Sequence, residues 1–374
     1  MLLNRKLCNF NAEFINFLNL LTQPNNNKSH SCSDKKCMKV FNFNNDIILI
    51  SKKSLLGQNR DFTNKIFIFN IYIMKKILIV AYYELKDYML YIKEIFEQYH
   101  FVVSSYPLFR YAYDSNDKLQ NYTEHLNEYI KNEQVDIILW WFIDVPLDVF
   151  KYIKFNNKNK LFIMYNSDDP HNLNKELFDK SKIFDIIITP CKETIHMYKL
   201  FSIPKNVLFG PMGYDPELFY PITNPISEEV CEFECDISML IHNLYLDKSH
   251  YPRQVVYRKD LIDNIIKYCD EQGKVFKLFG SPVLNEYYPK QYSGNTPYYK
   301  LNMLFNMSKI NLISSPFSNK SLHVNENLAC MLGAGSLIMI DKTKDIDQLL
   351  TNNLNCFMYD ESNYIDSIGE VLDN

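Results

Sequence analysis

The stretch His323–Asp341, HVNENLACMLGAGSLIMID, decides the fold. Val324, Leu328, Met331 and Leu332 recur at i, i+4, i+7 and i+8, which puts one apolar stripe along a helix. Gly333-Ala334-Gly335 falls at the end of that periodicity, where a left-handed residue commonly closes a helix. Ser336–Ile340 (SLIMI) is then almost wholly apolar, as expected of a strand covered on both faces. Glu326 lies off the apolar stripe near the helix start, and Asp341 follows the strand. In an open α/β sheet both positions border the crevice beyond the carboxyl ends of the strands, where ligands bind. A glutamate in a first helical turn is also favoured by the helix dipole and by capping, so helix physics alone leaves Glu326 with either role.

Outward from this unit, strand and helix patterns alternate. In the first half, strands are expected at Ile77–Tyr82, Phe101–Ser104, Val135–Phe142, Leu161–Tyr165, Phe184–Thr189 and Val207–Phe209. Helices are expected at Leu85–Tyr99, Leu119–Lys131, Leu173–Ser181 and Glu193–Phe201. The second half repeats the pattern. It has strands at Asp236–Ile241, Val275–Phe279, Ile310–Ile313 and Cys356–Tyr359. Its helices are Arg253–Glu271, Pro297–Met307, Asp345–Leu350 and Tyr364–Leu372. Such alternation argues for βαβ crossovers and parallel sheets. The acidic, irregular ITNPISEEVCEFEC (Ile222–Cys235) separates the halves and reads as a linker. The expected division is therefore an N-terminal extension at 1–73, a first Rossmann-like domain at 74–222, a linker at 223–234 and a second Rossmann-like domain at 235–374. The folded enzyme is expected to begin near Met74, where MKKILIVAYY opens a buried strand. The preceding QPNNNKSHSCSDKKC is polar and turn-rich, a composition consistent with disorder.

Polar residues cluster where strands should end. Asn166-Ser167-Asp168-Asp169-Pro170-His171 follows Leu161–Tyr165. Two carboxylates and an imidazole at a strand's carboxyl end form a candidate acid/base group, though Asp or Asn would serve equally as a helix cap there. Trp140, Trp141 and Asp144 end the neighbouring strand, as sugar-stacking residues or as core. In the second half, His242-Asn243 ends one strand and Gly280 another. Arg258 lies on the long helix between them, where a guanidinium can pair a diphosphate. The turn after the first strand, AYYELKD, lacks G-x-G-x-x-G, which argues against a classically bound dinucleotide.

Two segments carry a family resemblance. The run H-x-x-E-x-x-A-C-x-x-G-A-G-x-L-I-x-x-D at 323–341 resembles the C-terminal domain of group 1 glycosyltransferases of the GT-B type, nearest the CgeB-like subgroup. FGPMGYDPELFYP (Phe209–Pro221) resembles the G-x-D-x-x-x-F-x-P segment at the end of the first domain of GT-B enzymes. The likeness covers roughly Cys235–Leu372. It implies two facing Rossmann-like domains and a transferase that moves a sugar from a nucleotide-sugar donor, UDP- or GDP-linked, to an acceptor hydroxyl. The acceptor class (glycan, protein or small molecule) stays open.

By the same resemblance, Glu326 binds the donor ribose. Arg258, Gly280, His323, Gly333, Ala334, Gly335, His242 and Asn243 line the rest of the donor site. Asp168, Asp169 and His171 are the candidate acceptor-side bases. No metal and no cofactor are implied. The sequence departs from the family pattern at three places. His242-Asn243 replaces a glycine turn, His323 replaces an arginine, and Ser318 replaces a second glutamate. These departures keep open a catalytically inactive GT-B binding module; a GT-B sugar-nucleotide epimerase, which would share the fold and the donor site, is the other alternative.

Composition narrows the remaining classes. The chain has 374 residues, 47% of them hydrophobic and 22% charged, which suits two domains with proper cores. A net charge of −4 gives no electrostatic case for nucleic acid or an anionic membrane surface. The nine cysteines are irregularly spaced with no CxxC pair, a pattern of reduced thiols in a cytoplasmic setting. No stretch reaches the ~20 apolar residues of a transmembrane helix; the best, Ile66–Tyr83, is split by Lys75 and Lys76.

Overall fold

The computed structural model describes residues 75–81, 88–98, 101–108, 120–141, 144–201, 206–211, 213–223, 232–242, 244, 252–315, 322–324, 326–354, 356–360 and 362–373. The expected extension 1–73 and most of the expected linker lie outside them, as do Asn243 and Ser318.

The first half builds a six-stranded sheet from β1 (Lys76–Ala81), β2 (Val102–Pro107), β3 (Ile137–Trp140), β4 (Leu161–Tyr165), β5 (Ile186–Thr189) and β6 (Asn206–Phe209). Their order is β2-β1-β3-β4-β5-β6, and every pairing is parallel. The helices between them are α1 (Tyr88–Gln98), α2 (Gln120–Asn132), α3 (Leu147–Asn156), α4 (Lys175–Ser181) and α5 (Thr194–Phe201). The second half builds a five-stranded sheet from β7 (Cys235–Ile241), β8 (Phe276–Gly280), β9 (Ser308–Ile313), β10 (Ile338–Asp341) and β11 (Phe357–Tyr359). Its order is β11-β10-β9-β7-β8, again all parallel. Its helices are α6 (Pro252–Gln272), α7 (Val283–Tyr287), α8 (Leu301–Met307), α9 (Glu326–Gly333) and α10 (Tyr364–Asp373). The α/β reading holds, and the structure adds α3 and α7, which the sequence reading did not include.

Both sheets are covered on both faces, which is why their strands read as continuous apolar runs. In β1, Leu78 and Val80 join one core cluster while Ile77 and Ile79 join another, following the two-residue period of a strand. In β10, Ile338 and Ile340 pack on one side and Met339 on the other. Trp140, one of the two tryptophans offered as sugar-stacking, is wholly buried, edge-on to Phe150 at 4.7 Å between centroids. Trp141 stacks on Tyr165 at 4.3 Å.

The motif Phe209–Pro221 leaves the first sheet and lies against the second. Tyr214 and Phe219 belong to the second sheet's core cluster. The backbone N–H groups of Tyr220 and Ile222 donate to Asn302 Oδ1 and Asn306 Oδ1 of α8, at 3.1 and 2.8 Å. Asp215 caps a single turn, accepting from Glu217 N at 2.8 Å through its side chain.

Candidate functional site

In each sheet the strand order reverses once: between β1 and β3 in the first, and between β7 and β9 in the second. The carboxyl ends of strands at such a reversal leave a crevice. In the second sheet that point carries His242 after β7, and Ser314 and Ser315 after β9. Arg258 reaches it from α6: its guanidinium is buried and donates from Nη2 to the Ser314 carbonyl at 2.6 Å. Asp341, at the end of β10, accepts from Ser315 N with both carboxylate oxygens, at 2.8 and 2.9 Å, and so fixes the exit of β9.

α9 runs from the exit of β9 back to the start of β10, antiparallel to the strands. Glu326 in its first turn is therefore on the crevice edge. Gly333, Ala334 and Gly335 are at the opposite edge, about 12 Å away along an eight-residue helix. The structure thus separates two groups that the sequence reading placed in one donor site. The glycines have packing reasons. A Cβ on Gly333 would overlap the Tyr214 ring, and Gly335 has φ +67° with Pro221 Cγ 2.8 Å from where its Cβ would stand. Gly280, at the end of β8, also has a backbone reason. Its φ is +117°, and a Cβ there would collide with the Ile241 carbonyl at the end of β7.

Glu326 is half-buried as a residue, yet its Oε1 atom is closed to solvent and has no hydrogen-bond partner. Burial pushes its carboxyl up to about 7, against an opposing hydrogen bond with Tyr298. Tyr298 opens the short 3-10 turn Tyr298–Lys300, and its hydroxyl also lies 3.7 Å from Cys330 Sγ, one helical turn beyond Glu326. Sequence reasoning missed Tyr298. It is 28 positions from Glu326 in a segment read only as helix, and no local signal joins the two.

The two halves meet beside this site. Lys192 N donates to Leu322 O at 3.3 Å and Val324 N to Pro190 O at 3.2 Å, around an antiparallel bridge between Cys191 and His323. The His323 ring stands 6.2 Å from that of His171, at 67°. The structure therefore brings together His171 of the first half and His323 of the second. Arg258 is close enough to act electrostatically on His171. Burial, then His323, then Arg258 hold the His171 ring down to about 3, and burial holds His323 to about 4; both rings are neutral at pH 7. Burial also lowers His242.

Asp168, Asp169 and His171 share one loop but not one environment. Asp168 is exposed and His171 half-buried. Asp169 is fully enclosed and accepts from Tyr198 Oη at 3.1 Å, from Thr194 Oγ1 at 3.3 Å and from Asn166 Nδ2. Burial pushes the Asp169 carboxyl up to about 7; Thr189, Tyr198 and Thr194 pull it down, and Asp168 raises it. Among the described residues, no group of three or more His, Cys, Asp or Glu side chains is arranged to hold a metal ion, and no helix is long and apolar enough to cross a membrane.

No protein-family model matches the chain, and no curated protein matches it in sequence. Solved structures do match. The fold they share with this chain is GT-B, two Rossmann-like domains with parallel sheets. One is Anabaena HepE, determined in complex with UDP and glucose (TM-score 0.53, 11% identity, 80% of this chain and 90% of that one). Another is the sucrose-phosphate synthase of Thermosynechococcus elongatus (TM-score 0.55, 9% identity, with the same coverage). A glycosyltransferase of Rickettsia africae ESF-5 aligns with TM-score 0.52 and 12% identity over 81% of this chain and 89% of its own. At such identities the likeness is one of fold.

Proposed function

We propose that the chain is a glycosyltransferase that binds a UDP- or GDP-sugar in its C-terminal half and transfers the sugar to an acceptor hydroxyl held by the N-terminal half. The observation that carries this reading is Glu326. It is a carboxyl on the crevice edge of the second sheet, three residues after the bridge to the other half, with one oxygen lacking a partner. An unpaired buried acceptor is costly and calls for a donor. A turn of the carboxyl that opens Oε1 to the crevice would let the two hydroxyls of a donor ribose answer that need, as the resemblance to GT-B enzymes implies for this glutamate.

In this reading Arg258 offsets diphosphate charge from beneath the β9 exit, with the neutral His323 ring on the same edge and His242 at the end of β7. His171, across the bridge from His323, takes the acceptor proton. A bound diphosphate would raise its low proton affinity toward neutrality, since a nearby opposite charge favours the cationic form. Asp169 is enclosed and serves by orienting the loop that carries Asp168 and His171. Catalysis then rests on positioning and on neutralising the leaving diphosphate, with no bound metal.

The test is release of UDP or GDP from a panel of labelled nucleotide-sugars, with mixed glycan and small-molecule acceptors. Release by wild type and at least a hundredfold less by Glu326→Gln is expected. Equal release by both would remove Glu326 from the donor site. Binding without turnover would favour the inert module, and a 2-epimer product the epimerase.

A further inference from the structure

We infer that Asp169 is a positioning residue for the junction of the two halves. Through the Thr194 hydroxyl it sets how firmly the turn at Cys191 is held against His323. This holds whichever ligand the crevice takes.

The chain after β4 and the chain after β5 lie side by side, and Asp169 ties them together. Its Oδ1 accepts from Tyr198 Oη at 3.1 Å and from Asn166 Nδ2, and its Oδ2 accepts from Thr194 Oγ1 at 3.3 Å. On the loop side, the Asn166 and Asn172 amides bond each other twice, both times at 2.9 Å, and so close the loop that carries His171. On the bridge side, Thr194 Oγ1 lies 2.8 Å from the Cys191 carbonyl and 2.7 Å from Thr189 Oγ1, which accepts from Cys191 N at 3.2 Å. Lys192, next in the turn, reaches across the junction to Gln348 Oε1 at 2.7 Å, and Glu193 pairs with Lys344 at 3.9 Å.

The Thr194 hydroxyl has one hydrogen, and Asp169 Oδ2 and the Cys191 carbonyl compete for it. Oδ1 of Asp169 already accepts two bonds, so a proton on this carboxyl belongs on Oδ2, where it points at Thr194 Oγ1. The neutral acid then donates and leaves the Thr194 hydrogen on the Cys191 carbonyl. The carboxylate instead draws that hydrogen to itself, because hydrogen bonds to a charged acceptor are the stronger ones. Cys191 O keeps the Thr194 N–H at 3.2 Å and the Thr189 hydroxyl at 3.4 Å. The turn is therefore held more loosely when Asp169 is ionised. Burial raises the proton affinity of this carboxyl to about 7, so both forms are populated near neutral pH. The ionisable groups around it are Asp168 and His171 on its own loop, Cys191 and Glu193 on the turn, Tyr198 on α5, and His323 and Lys344 across the junction.

The experiment is hydrogen exchange of the full chain from pH 6 to pH 8.5, read at the Lys192 and Val324 amides, which donate across the bridge. Rates are expressed as protection relative to the unfolded chain, for wild type, Asp169→Asn and Thr194→Val. The asparagine amide donates to Thr194 Oγ1 at every pH, as the neutral acid does. Valine removes the contested hydrogen. Asp169→Asn is expected to match wild type at pH 6 and to be about tenfold better protected at pH 8.5. Thr194→Val is expected to be about tenfold less protected than wild type at pH 6 and to come level with it by pH 8.5. Titration of Glu326 is common to all three proteins and cancels in the ratios. A structural role alone would change protection by the same factor at every pH. Ratios that do not move with pH, or an Asp169→Asn variant less protected than wild type at pH 8.5, would overturn the inference. If Asp169→Asn fails to fold, the Thr194→Val ratio decides by itself.

Discussion

Replacing Glu326 by glutamine should stabilise the protein at neutral and alkaline pH, and the gain should vanish in acid. The argument starts from the carboxyl's environment: an Oε1 atom sealed from water without a partner, in a residue whose proton affinity is raised by burial from 4.5 to about 7. A group held above its unfolded value binds protons more readily in the folded state. Its stabilising contribution is complete below about 4.5 and is lost as pH rises through about 7. Across that interval, at about 1.4 kcal/mol per pH unit, the ionisable glutamate costs the fold about 3 kcal/mol by pH 8. Glutamine carries no such cost. The stability gap between variant and wild type should therefore open by about 3 kcal/mol between pH 4.5 and pH 8, roughly 6–12 °C in Tm for a unit of this size. Urea unfolding followed by circular dichroism at half-unit pH steps measures the gap directly. Using the difference between two proteins cancels the parallel titration of Asp169, which stays the same in both. A gap that does not change with pH, or a glutamine variant that is less stable at pH 8, would refute the reasoning. A group that destabilises the empty fold suits a ligand contact.

Two further perturbations follow. Gly280→Ala must take φ +117° and meet the Ile241 carbonyl, which also accepts from Ser281 N at 2.9 Å; a loss of at least about 2 kcal/mol in urea unfolding is expected, and a change under half that would show that the strand ends relax freely. Thr194→Val removes a hydroxyl that donates to Cys191 O at 2.8 Å and shares a 2.7 Å bond with Thr189, so the bridge to His323 loses its support. Hydrogen exchange at the Lys192 and Val324 amides should speed up about tenfold and be restored by Thr194→Ser; unchanged exchange would mean that the bridge stands without this network.

Much of the fold was legible because a strand buried on both faces leaves an unmistakable apolar run. Leu161–Tyr165 is a strand over the same residues as expected, and Asp236–Ile241 and Ile310–Ile313 differ only by one or two residues at the start. α3 is legible too, since Val149, Phe150 and Ile153 form its buried face, although the strand pattern around it is the stronger signal. Asp345–Leu350, expected as a helix, closes as a single 3-10 turn behind Asp345, whose φ is +65°.

The site was less legible, because chain position gives the edge of a sheet but not the direction of a side chain. Asp168 and Asp169 are neighbours in sequence and read alike, yet one is exposed and the other has no exposed surface. Only the positions of Tyr198 and Thr194, on α5, the second helix after the loop, decide which. Gly333-Ala334-Gly335 lies close to Glu326 in sequence but a helix length from it in space. Tyr214 in the segment Phe209–Pro221 was read with the first half, and its packing against Gly333 in the second depends on a contact more than a hundred residues apart.

The account turns on where a nucleotide would sit, and a crystal structure of the full chain soaked with UDP or GDP tests that most directly. The expected density has the ribose hydroxyls within hydrogen-bond distance of the Glu326 carboxyl and the diphosphate directed toward Arg258 and His323. A nucleotide found elsewhere, or a Glu326 carboxyl still without a partner in a crystal that holds one, would contradict it.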